Sequence, residues 1–303
     1  MNTAPEREAL LVTHTGRETI VHRAREVAKQ LAAAGFGLRV LDDEAAELGI
    51  DGAVAMPEGD AAAGTELVFA LGGDGTFLRA AELARPVGAA LLGVNLGRVG
   101  FLAEAEEDDL DATVHQIVAR TYTVEERLTL DVTVRRAGRP AVREWALNEA
   151  SVEKGHRERM LEVMAAVDAR PLSRWGCDGV IFATPTGSTA YAFSAGGPVV
   201  WPGVEALLMV PISAHALFAK PLVTAPTAVL TVDVLGGGTP PAVLCCDGRR
   251  SHELGIGDRV EVRRGALPVR VVRLHYHPFT DRLVEKFALP VAGWRGNGGR
   301  NAD

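Results

Sequence analysis

Residues 66–84 read ELVFALGGDGTFLRAAELA: an apolar run, a loop of three glycines around one aspartate, and then apolar positions at helical spacing. This pattern predicts a buried strand over 66–71 and a helix over 76–84, joined by the glycine loop. Strand-like and helix-like segments also alternate on either side of it, over 9–14, 18–36, 38–41, 89–96 and 106–120. Such alternation indicates parallel βαβ units with helices on both faces of a sheet. We therefore predict an α/β domain with a Rossmann-like parallel sheet over residues 1–124.

From Arg127 onwards the spacing of apolar residues changes from helical to alternating. RLTLDVTVRR (127–136) is typical of an antiparallel strand with one solvated face. Similar stretches, separated by Gly and Pro turns, follow at 160–169, 228–236, 258–264 and 268–276. We predict a β-rich domain over residues 125–275, built as a β-sandwich. The C-terminal stretch 276–290 is predicted as a helix that returns to the first domain, and the Gly-rich residues 291–303 as a disordered tail.

Composition excludes several classes of protein. The 303 residues carry a net charge of -7 and show no basic stripe, which argues against a nucleic-acid partner. The first residues lack the pattern of a secretory leader, and no run approaches the roughly 18 apolar residues of a membrane span. Three cysteines, at 177, 245 and 246, have neither disulfide-framework nor zinc-ligand spacing. We expect a cytoplasmic protein that binds neither nucleic acid nor membrane.

Common catalytic signatures are missing from the sequence. It contains no GxxxxGK[ST] phosphate loop, no GxGxxG dinucleotide fingerprint, no HExxH helix and no GxSxG elbow. The eight histidines are scattered. The sequence therefore predicts no protein metal cage, and the usual routes to nucleotide binding, zinc hydrolysis and serine catalysis are unsupported.

The glycine loop admits two interpretations. It follows a predicted parallel strand and opens a helix, the place where α/β sheets bind ligands. Glycines let the main chain approach another molecule, and amides at a helix start attract phosphate. In this interpretation Asp74 does chemistry, because a carboxylate beside phosphate is otherwise repelled. In the other, Asp74 caps the helix and the glycines form the turn. The candidate phosphate-binding residues are Gly72, Gly73, Gly75 and Thr76.

A second candidate segment, CDGVIFATPTGSTAYAFSAGGP, spans residues 177–198. Its three threonines, two serines and one tyrosine need hydrogen-bond partners if they are buried. A ligand rich in hydroxyl, amide and phosphate groups would supply them, and Tyr191 can stack on an aromatic ring. The alternative is an elaborate loop between strands. The dipeptide Asn148-Glu149 ends another strand-like stretch, where Asn can pair with an adenine edge and Glu can accept from ribose hydroxyls.

Taken together, four segments resemble the NAD kinase family: GGDGT at 72–76, NE at 148–149, DGVIFATPTGSTAYAFSAGGP at 178–198 and CDGRR at 246–250. GGDGT alone is shared with diacylglycerol, sphingosine and 6-phosphofructo kinases, whereas the TPTGSTAY segment narrows the match to NAD kinases. The resemblance implies transfer of a γ-phosphoryl group from ATP or another donor to the 2′-hydroxyl of the adenosine ribose of NAD, giving NADP. It also implies Mg²⁺ or another divalent cation and a homodimer or homotetramer. Because no protein metal cage is evident in the sequence, we expect the ion to be held chiefly by the phosphates.

The resemblance also implies roles for single residues. Asp74 matches the proton acceptor, and Gly75 lies beside it on the dinucleotide. Arg79 matches a position that contacts phosphate. Asn148 and Glu149 match positions that hold adenosine and ribose groups.

Further roles fall in the second half of the chain. Arg159 matches a basic ligand position, and Asp178 a position at the nicotinamide end. Some relatives have an arginine two residues before this aspartate; here that position is Gly176, with Arg174 two residues further back. Arg249 occupies a variable ligand position. The resemblance implies that Tyr191 is stacked in the dinucleotide site. It also implies that the site is lined by Thr189, Ala190, Tyr191, Ala192, Phe193 and Ser194.

Two rival functions remain at this point. A lipid or sugar kinase sharing only the glycine loop leaves TPTGSTAY without a role. A non-catalytic dinucleotide sensor on the same scaffold has no need of Asp74 within an intact glycine loop.

Overall fold

A computed structural model describes residues 6–96, 100–106, 110–238, 240–274 and 278–291. The chain forms two compact units, one of Met1–Glu125 with Arg270–Asp303 and the other of Glu126–Val269. None of the helices in these described ranges is both long and apolar enough to cross a membrane.

The first unit is built on a largely parallel sheet. Its strands before residue 128 are β1 (Arg7–Thr13), β2 (Phe36–Leu41), β3 (Val54–Met56), β4 (Leu67–Leu71), β5 (Ala90–Asn95), β6 (Ala105–Glu106) and β7 (Thr123–Arg127). Its helices there are α1 (Glu18–Ala33), α2 (Asp42–Leu48), α3 (Asp74–Val87) and α4 (Leu110–Ala119). Every residue of β4 is buried, as expected for a central strand covered on both faces. The described part of α4 starts at Leu110, and residues 107–109 of the predicted helix lie outside the described ranges.

The second unit contains two six-stranded antiparallel sheets. Its strands are β8 (Leu130–Arg135), β9 (Val142–Ala146), β10 (Glu149–Lys154), β11 (Leu161–Val167), β12 (Arg170–Cys177), β13 (Gly179–Ala183), β14 (Leu207–Ile212), β15 (Leu222–Thr224), β16 (Leu230–Gly236), β17 (Ala242–Cys246), β18 (Arg250–Leu254) and β19 (Arg259–Arg264). The sheet orders are β15-β14-β13-β10-β17-β18 and β12-β11-β16-β19-β8-β9. Side chains from both sheets, including Phe182 and Val232, share one buried core. The predicted β-sandwich is confirmed.

A short helix covers the outer face of the first of these sheets. This helix, α5 (Tyr191–Ser194), follows a 3-10 turn over Thr186–Thr189. Its Ala192 packs with Ile181 and Val210, which point away from the central core. The TPTGSTAY segment therefore lies against the sheet at the end of β13.

The chain then returns to the first unit. Strand β20 (Val269–Arg273) pairs in parallel with β5 through Val271 and Leu91, which gives the order β3-β2-β1-β4-β5-β20-β7, with β6 beside β5. The sequence boundary at residue 275 puts this strand in the β-rich domain, whereas the structure puts it in the parallel sheet. Alternating apolar residues suit either sheet, so local sequence does not distinguish them.

The last described helix is α6 (Phe279–Phe287). Its Phe279 and Phe287 rings lie 6.2 and 5.5 Å from the ring of Phe101, so α6 packs on the first unit as predicted. Of the tail predicted over 291–303, residues 292–303 lie outside the described ranges.

Candidate active site

The glycine loop lies at the carboxyl end of β4, where the strand order of the parallel sheet reverses between β1 and β4. Crevices at such reversals are the usual ligand sites of α/β sheets. Helix α3 begins at Asp74, two residues earlier than predicted, with Gly73 as its N-cap. The first-turn amides of α3 therefore start inside the loop itself, where the helix dipole favours an anion.

Asp74 is the first residue of α3 and does not act as its N-cap. Its carboxylate accepts long hydrogen bonds from the backbone N–H groups of Phe101 (3.4 Å) and Leu102 (3.3 Å). These groups belong to the segment 100–104, which directly precedes β6. A Cβ atom at Gly100 would lie 2.4 Å from Asp74 Oδ1, so a side chain at this position would displace the Asp74 carboxylate. The interpretation of Asp74 as a helix cap is wrong.

The three glycines of the loop differ in what constrains them. A Cβ atom at Gly72 would lie 2.5 Å from Thr76 Oγ1, and the φ of Gly72 is +156°. Gly72 is therefore required by the fold. Cβ atoms at Gly73 and Gly75 would meet nothing within 4 Å in the described part of the chain. The protein itself does not require glycine at these two positions, which agrees with their predicted contact with a ligand.

Arg79 lies on α3, just over one turn after Asp74, and is held by acidic side chains. Its guanidinium pairs with Asp43 and Glu44 at 2.7 Å each and with Glu58 at 3.5 Å. Glu44 is buried and also accepts from the backbone N–H of Thr13 at 2.8 Å. Burial raises the pKa of Glu44 to about 7. Arg79 is thus oriented by the protein, and its predicted contact with phosphate stays a prediction.

Three of the four recognised segments meet on strand β10 of the second unit. β10 begins at Glu149 and pairs on one side with β13, which leads into TPTGSTAY, and on the other with β17, which leads into DGRR. The backbone C=O of Asn148 accepts from the N–H of Thr184 at 2.9 Å. A Cβ atom at Gly187 would lie 2.0 Å from the same oxygen. These close contacts account for the glycine in TPTGSTAY and bring Asn148 next to this segment.

Asp247 holds the backbone of the Asn148-Glu149 dipeptide. Its buried carboxylate accepts from the N–H groups of Leu147 (2.8 Å), Asn148 (2.7 Å) and Glu149 (3.2 Å). Arg250 Nη2 lies 3.3 Å from the same carboxylate. Burial raises the pKa of Asp247 despite these bonds. We did not predict a role for Asp247, although the CDGRR segment that contains it was recognised.

Glu149 is nine-tenths buried beside Asp247. Burial, with a contribution from the Asp247 carboxylate, raises the pKa of Glu149 to about 8. Its Oε2 atom is buried and has no hydrogen-bond partner among the described residues. A protonated carboxyl group of this kind can donate one hydrogen bond and accept others, which suits a hydroxyl-bearing ligand.

The hydroxyl groups of TPTGSTAY are partly satisfied by the protein. Thr184 Oγ1 donates to the C=O of Leu147 at 2.6 Å and accepts from the N–H of Gly187 at 3.0 Å. Ser188 Oγ donates to the C=O of Pro185 at 2.7 Å. For these two fully buried hydroxyls, the expectation that a ligand supplies the partners is wrong. Their bonds fix the shape of the segment instead.

Tyr191 and the residues around it form the accessible part of this segment. The Tyr191 side chain is 37% exposed, and its Oη donates to Glu153 Oε2 at 3.2 Å. Burial of part of the ring, with the nearby Glu153 carboxylate, raises the pKa of Tyr191. Phe193 is 40% exposed, whereas Ala192 is buried against the sheet. Of the predicted lining residues 189–194, Ala192 thus belongs to the core.

Asp178 is paired with a lysine that we did not predict. Lys154 Nζ lies 2.5 Å from Asp178 Oδ1, and this hydrogen bond lowers the pKa of Asp178. Arg174 pairs with Glu162 at 2.5 Å. At Gly176, a Cβ atom would lie 2.4 Å from the sulfur of Met160.

Two predicted basic side chains lie on the surface. Arg159 is exposed in the turn between β10 and β11, and Arg249 is exposed between β17 and β18. Their predicted contacts with a ligand stay predictions.

The described residues contain no group of three or more His, Cys, Asp or Glu side chains that could hold a metal ion. Mg²⁺ commonly keeps several waters and binds through one or two carboxylates together with substrate phosphates. Asp74, a single carboxylate beside an anion-attracting helix start, is compatible with an ion that arrives on the phosphates.

Two protein-family models match the chain. The ATP-NAD kinase N-terminal domain matches residues 9–122, and the ATP-NAD kinase C-terminal domain matches residues 147–274. The NAD kinase of Thermobifida fusca (strain YX) is 61% identical over 300 residues, covering 96% of this chain and 92% of that protein.

Two crystal structures share the fold. Yeast NADH kinase complexed with NADH has a TM-score of 0.85 at 22% identity, over 99% of this chain and 91% of its own. An NAD kinase from Archaeoglobus fulgidus in complex with ATP has a TM-score of 0.71 at 27% identity, over 93% of this chain and 98% of its own. With both family models matched and a 61% identical relative covered almost throughout, the chain belongs to the NAD kinase family.

Proposed function

We propose that this protein transfers the γ-phosphoryl group of ATP to the 2′-hydroxyl of the adenosine ribose of NAD, with Asp74 as the proton acceptor. The observation that carries this assignment is the place of Asp74: a carboxylate on the first turn of α3, inside a loop whose Gly73 and Gly75 are open to a ligand. A ribose hydroxyl is a poor nucleophile at neutral pH, so a carboxylate within hydrogen-bond reach assists by taking its proton.

The phosphoryl transfer forms one P–O bond and breaks another, and one proton moves between two oxygens. The 2′-oxygen attacks the γ-phosphorus, the proton passes to the Asp74 carboxylate, and the bond from the γ-phosphorus to the bridging oxygen breaks to release ADP. Positioning and charge neutralisation contribute more than the base, because the two substrates are both anionic. The α3 amides and Arg79 are the candidate positive groups of the first unit. Mg²⁺ or another divalent cation, carried by the triphosphate, supplies further neutralisation.

Residues of the second unit are proposed to bind NAD. Asn148 and Glu149 hold adenosine and ribose groups, and the Glu149 carboxyl suits a hydroxyl partner because Oε2 has none among the described residues. Tyr191 presents a partly exposed ring for stacking. Asp178 is assigned to the nicotinamide end, and Arg159 is assigned as a basic ligand contact.

The comparisons support NAD kinase activity. None of them favours a lipid or sugar kinase, or a non-catalytic dinucleotide sensor. The Archaeoglobus fulgidus structure contains ATP and the yeast structure NADH, which supports ATP as donor and an adenine dinucleotide as acceptor. Other nucleoside triphosphates and polyphosphate are the donors to test beside ATP.

A single assay tests the proposal. Purified protein with NAD, ATP and Mg²⁺ is expected to form NADP. Asp74→Asn is expected to lower kcat by at least about a hundredfold, the scale of a lost general base. The control is Asp60→Asn, an exposed aspartate of the same unit, which should leave kcat within about twofold. No NADP from the unmodified protein with any phosphoryl donor would exclude the activity, and full activity of Asp74→Asn would exclude only the base assignment.

We further propose a cytoplasmic homodimer or homotetramer. All three cysteines are free thiols, as is usual in a reducing compartment. The second unit exposes large apolar side chains, among them the half-exposed Trp201 and the fully exposed Leu217, which suits burial between subunits. Light scattering of the purified protein gives the subunit number directly.

A further inference from the structure

The segment 100–104, which donates hydrogen bonds to Asp74, is held from its other side by the C-terminal helix α6. Arg282 of α6 places Nη1 3.2 Å from the C=O of Phe101 and 2.9 Å from the C=O of Ala103. Its Nη2 lies 2.7 Å from Glu104 Oε2. One guanidinium thus binds three acceptors within four consecutive residues. All these residues belong to the first unit.

A single peptide group links Arg282 to Asp74. The C=O of Phe101 and the N–H of Leu102 are the two ends of one peptide unit. The oxygen accepts from Arg282 Nη1 at 3.2 Å, and the N–H donates to Asp74 Oδ1 at 3.3 Å. A cation at the carbonyl end and a carboxylate at the N–H end polarise the peptide in the same direction, so each hydrogen bond strengthens the other.

The contacts of Arg282 are protected from water. The Glu104 side chain is fully buried and the Arg282 side chain is 14% exposed. Glu104 is also bound by the guanidinium of Arg273 and by the backbone N–H of Leu274 at 3.2 Å. In such surroundings, hydrogen bonds to charged groups are stronger than at the surface. Arg282 therefore contacts the segment at Phe101, Ala103 and Glu104, whereas Arg273 is bonded to the carboxylate of its last residue, Glu104.

We propose that Arg282 is a positioning residue for the phosphoryl transfer, acting on Asp74 through the peptide between Phe101 and Leu102. The inference rests on the proposed role of Asp74 as proton acceptor. Arg282 orients the segment, and the segment orients the carboxylate toward the attacking hydroxyl. Small displacements of a reacting group cost large factors in rate, whereas substrate binding depends mostly on other residues. Loss of Arg282 should therefore lower kcat far more than it raises either KM.

The test compares two arginines that share Glu104. Arg282→Gln removes the contact with the 101–102 peptide, whereas Arg273→Gln removes the other guanidinium on Glu104 and leaves that contact in place. We expect Arg282→Gln to lower kcat at least about tenfold with both KM values within about threefold. Arg273→Gln is expected to keep kcat within about threefold. Arg282→Lys retains the charge but offers one nitrogen for three acceptors. Its kcat should lie between those of Arg282→Gln and the unmodified enzyme.

A double-mutant cycle separates positioning from a general structural role. If Arg282 acts through Asp74, then adding Arg282→Gln to Asp74→Asn should change the residual kcat by less than about threefold. Thermal unfolding of all variants identifies any that fail to fold, and in that case the same cycle is run with Arg282→Lys.

Three results would overturn the proposal. The first is an unchanged kcat in Arg282→Gln, and the second is an equal loss of kcat in Arg273→Gln. The third is that Arg282→Gln lowers kcat by the same factor in the Asp74→Asn background as in the unmodified enzyme. These results leave the base assignment of Asp74 intact. Full activity of Asp74→Asn would remove the base assignment and the positioning role together.

Discussion

The Asp247 carboxylate accepts a hydrogen bond of 2.7 Å from the backbone N–H of Asn148. With its bonds to the N–H groups of Leu147 and Glu149, it fixes three consecutive amides at the start of β10. The two residues of the predicted NAD-binding dipeptide thus owe their backbone position to an aspartate from the CDGRR segment.

Replacing Asp247 by Asn should weaken both folding and NAD binding. An amide has one acceptor oxygen, so its NH₂ group would face a backbone N–H and leave buried donors unpaired. We expect a loss of about 1–3 kcal/mol in the free energy of unfolding, measured in urea, and a roughly tenfold rise in the Kd for NAD.

The matched control for this change is Asp168→Asn. Asp168 has a φ of +50°, close to the +52° of Asp247, and it also accepts a backbone N–H, that of Val229, but in an exposed turn. Asn tolerates this backbone conformation, so both changes test only the lost carboxylate. Asp168→Asn should cost less than about 0.5 kcal/mol. Equal losses for the two variants would contradict a special role for Asp247.

These findings show which parts of the site are predictable from sequence. The strand and helix around Asp74 follow from local patterns, because a buried run and a 3.6-residue period each extend over a few residues. The relation of Asp247 to Asn148 depends on the pairing of β10 with β17, residues about a hundred positions apart. The close approach of Gly100 to Asp74 likewise depends on a tertiary contact between the segment 100–104 and the first turn of α3. Local periodicity carries no information on either.

The strand β20 illustrates the same limit for the fold. Its apolar residues have a spacing that a sandwich strand could also have: Val269, Val271 and Val272. The strands just before it in the chain belong to the sandwich, so the local sequence suggests the same for β20. The parallel pairing of Val271 with Leu91 is decided by the sheet edge beside β5. Helix α6 is predictable as a helix, but its three acceptors for Arg282 exist only once the segment 100–104 lies beneath it.

Glu149 should make the stability of the protein depend on pH. Its pKa in the folded state is about 8, against an ordinary value of 4.5. Between these values the folded state binds more protons than the unfolded state, so the stabilisation present at low pH is lost as the pH rises toward 8. Glu149→Gln mimics the protonated carboxyl and removes this dependence. The free energy of unfolding of the variant should equal that of the unmodified protein near pH 5 and exceed it at pH 8, by at most a few kcal/mol.

Urea unfolding at pH 5, 6.5 and 8 measures this difference. Asp178→Asn is the control, because the Lys154 hydrogen bond lowers the pKa of Asp178 below its ordinary 3.8. Asp178 is then ionised in both the folded and the unfolded state above pH 5. The difference in free energy of unfolding between Asp178→Asn and the unmodified protein should therefore stay constant over this range. A constant difference for Glu149→Gln as well would mean that Glu149 is ionised in the folded protein at neutral pH.

Gly75→Ala should show whether glycine is needed at this position for ligand binding or for folding. The added Cβ would meet nothing within 4 Å in the described part of the chain, and alanine favours the helical conformation of this residue over glycine. Stability should stay unchanged or rise by up to about 1 kcal/mol, while kcat/KM falls at least tenfold because the methyl group occupies the path of a bound phosphate or dinucleotide.

Gly72→Ala is the matched variant with the opposite expectation. Its Cβ would lie 2.5 Å from Thr76 Oγ1 at a φ of +156°, so the loop must distort. We expect a loss of about 1–3 kcal/mol in thermal or urea unfolding. If Gly75→Ala kept full activity, the contact of Gly75 with a ligand would be excluded.

Tyr191 offers a test of ring stacking that is independent of the hydroxyl group. The ring is 37% exposed and its Oη is bonded to Glu153. Tyr191→Ala removes both features, and the loss of a base or nicotinamide stack should raise the Kd for NAD about tenfold, equivalent to about 1.4 kcal/mol. Tyr191→Phe removes only the bond to Glu153 and should change the Kd less than threefold. Calorimetric titration of each variant with NAD distinguishes the two contributions, and an equal weakening in both would assign the effect to the hydroxyl and its partner Glu153 rather than to stacking.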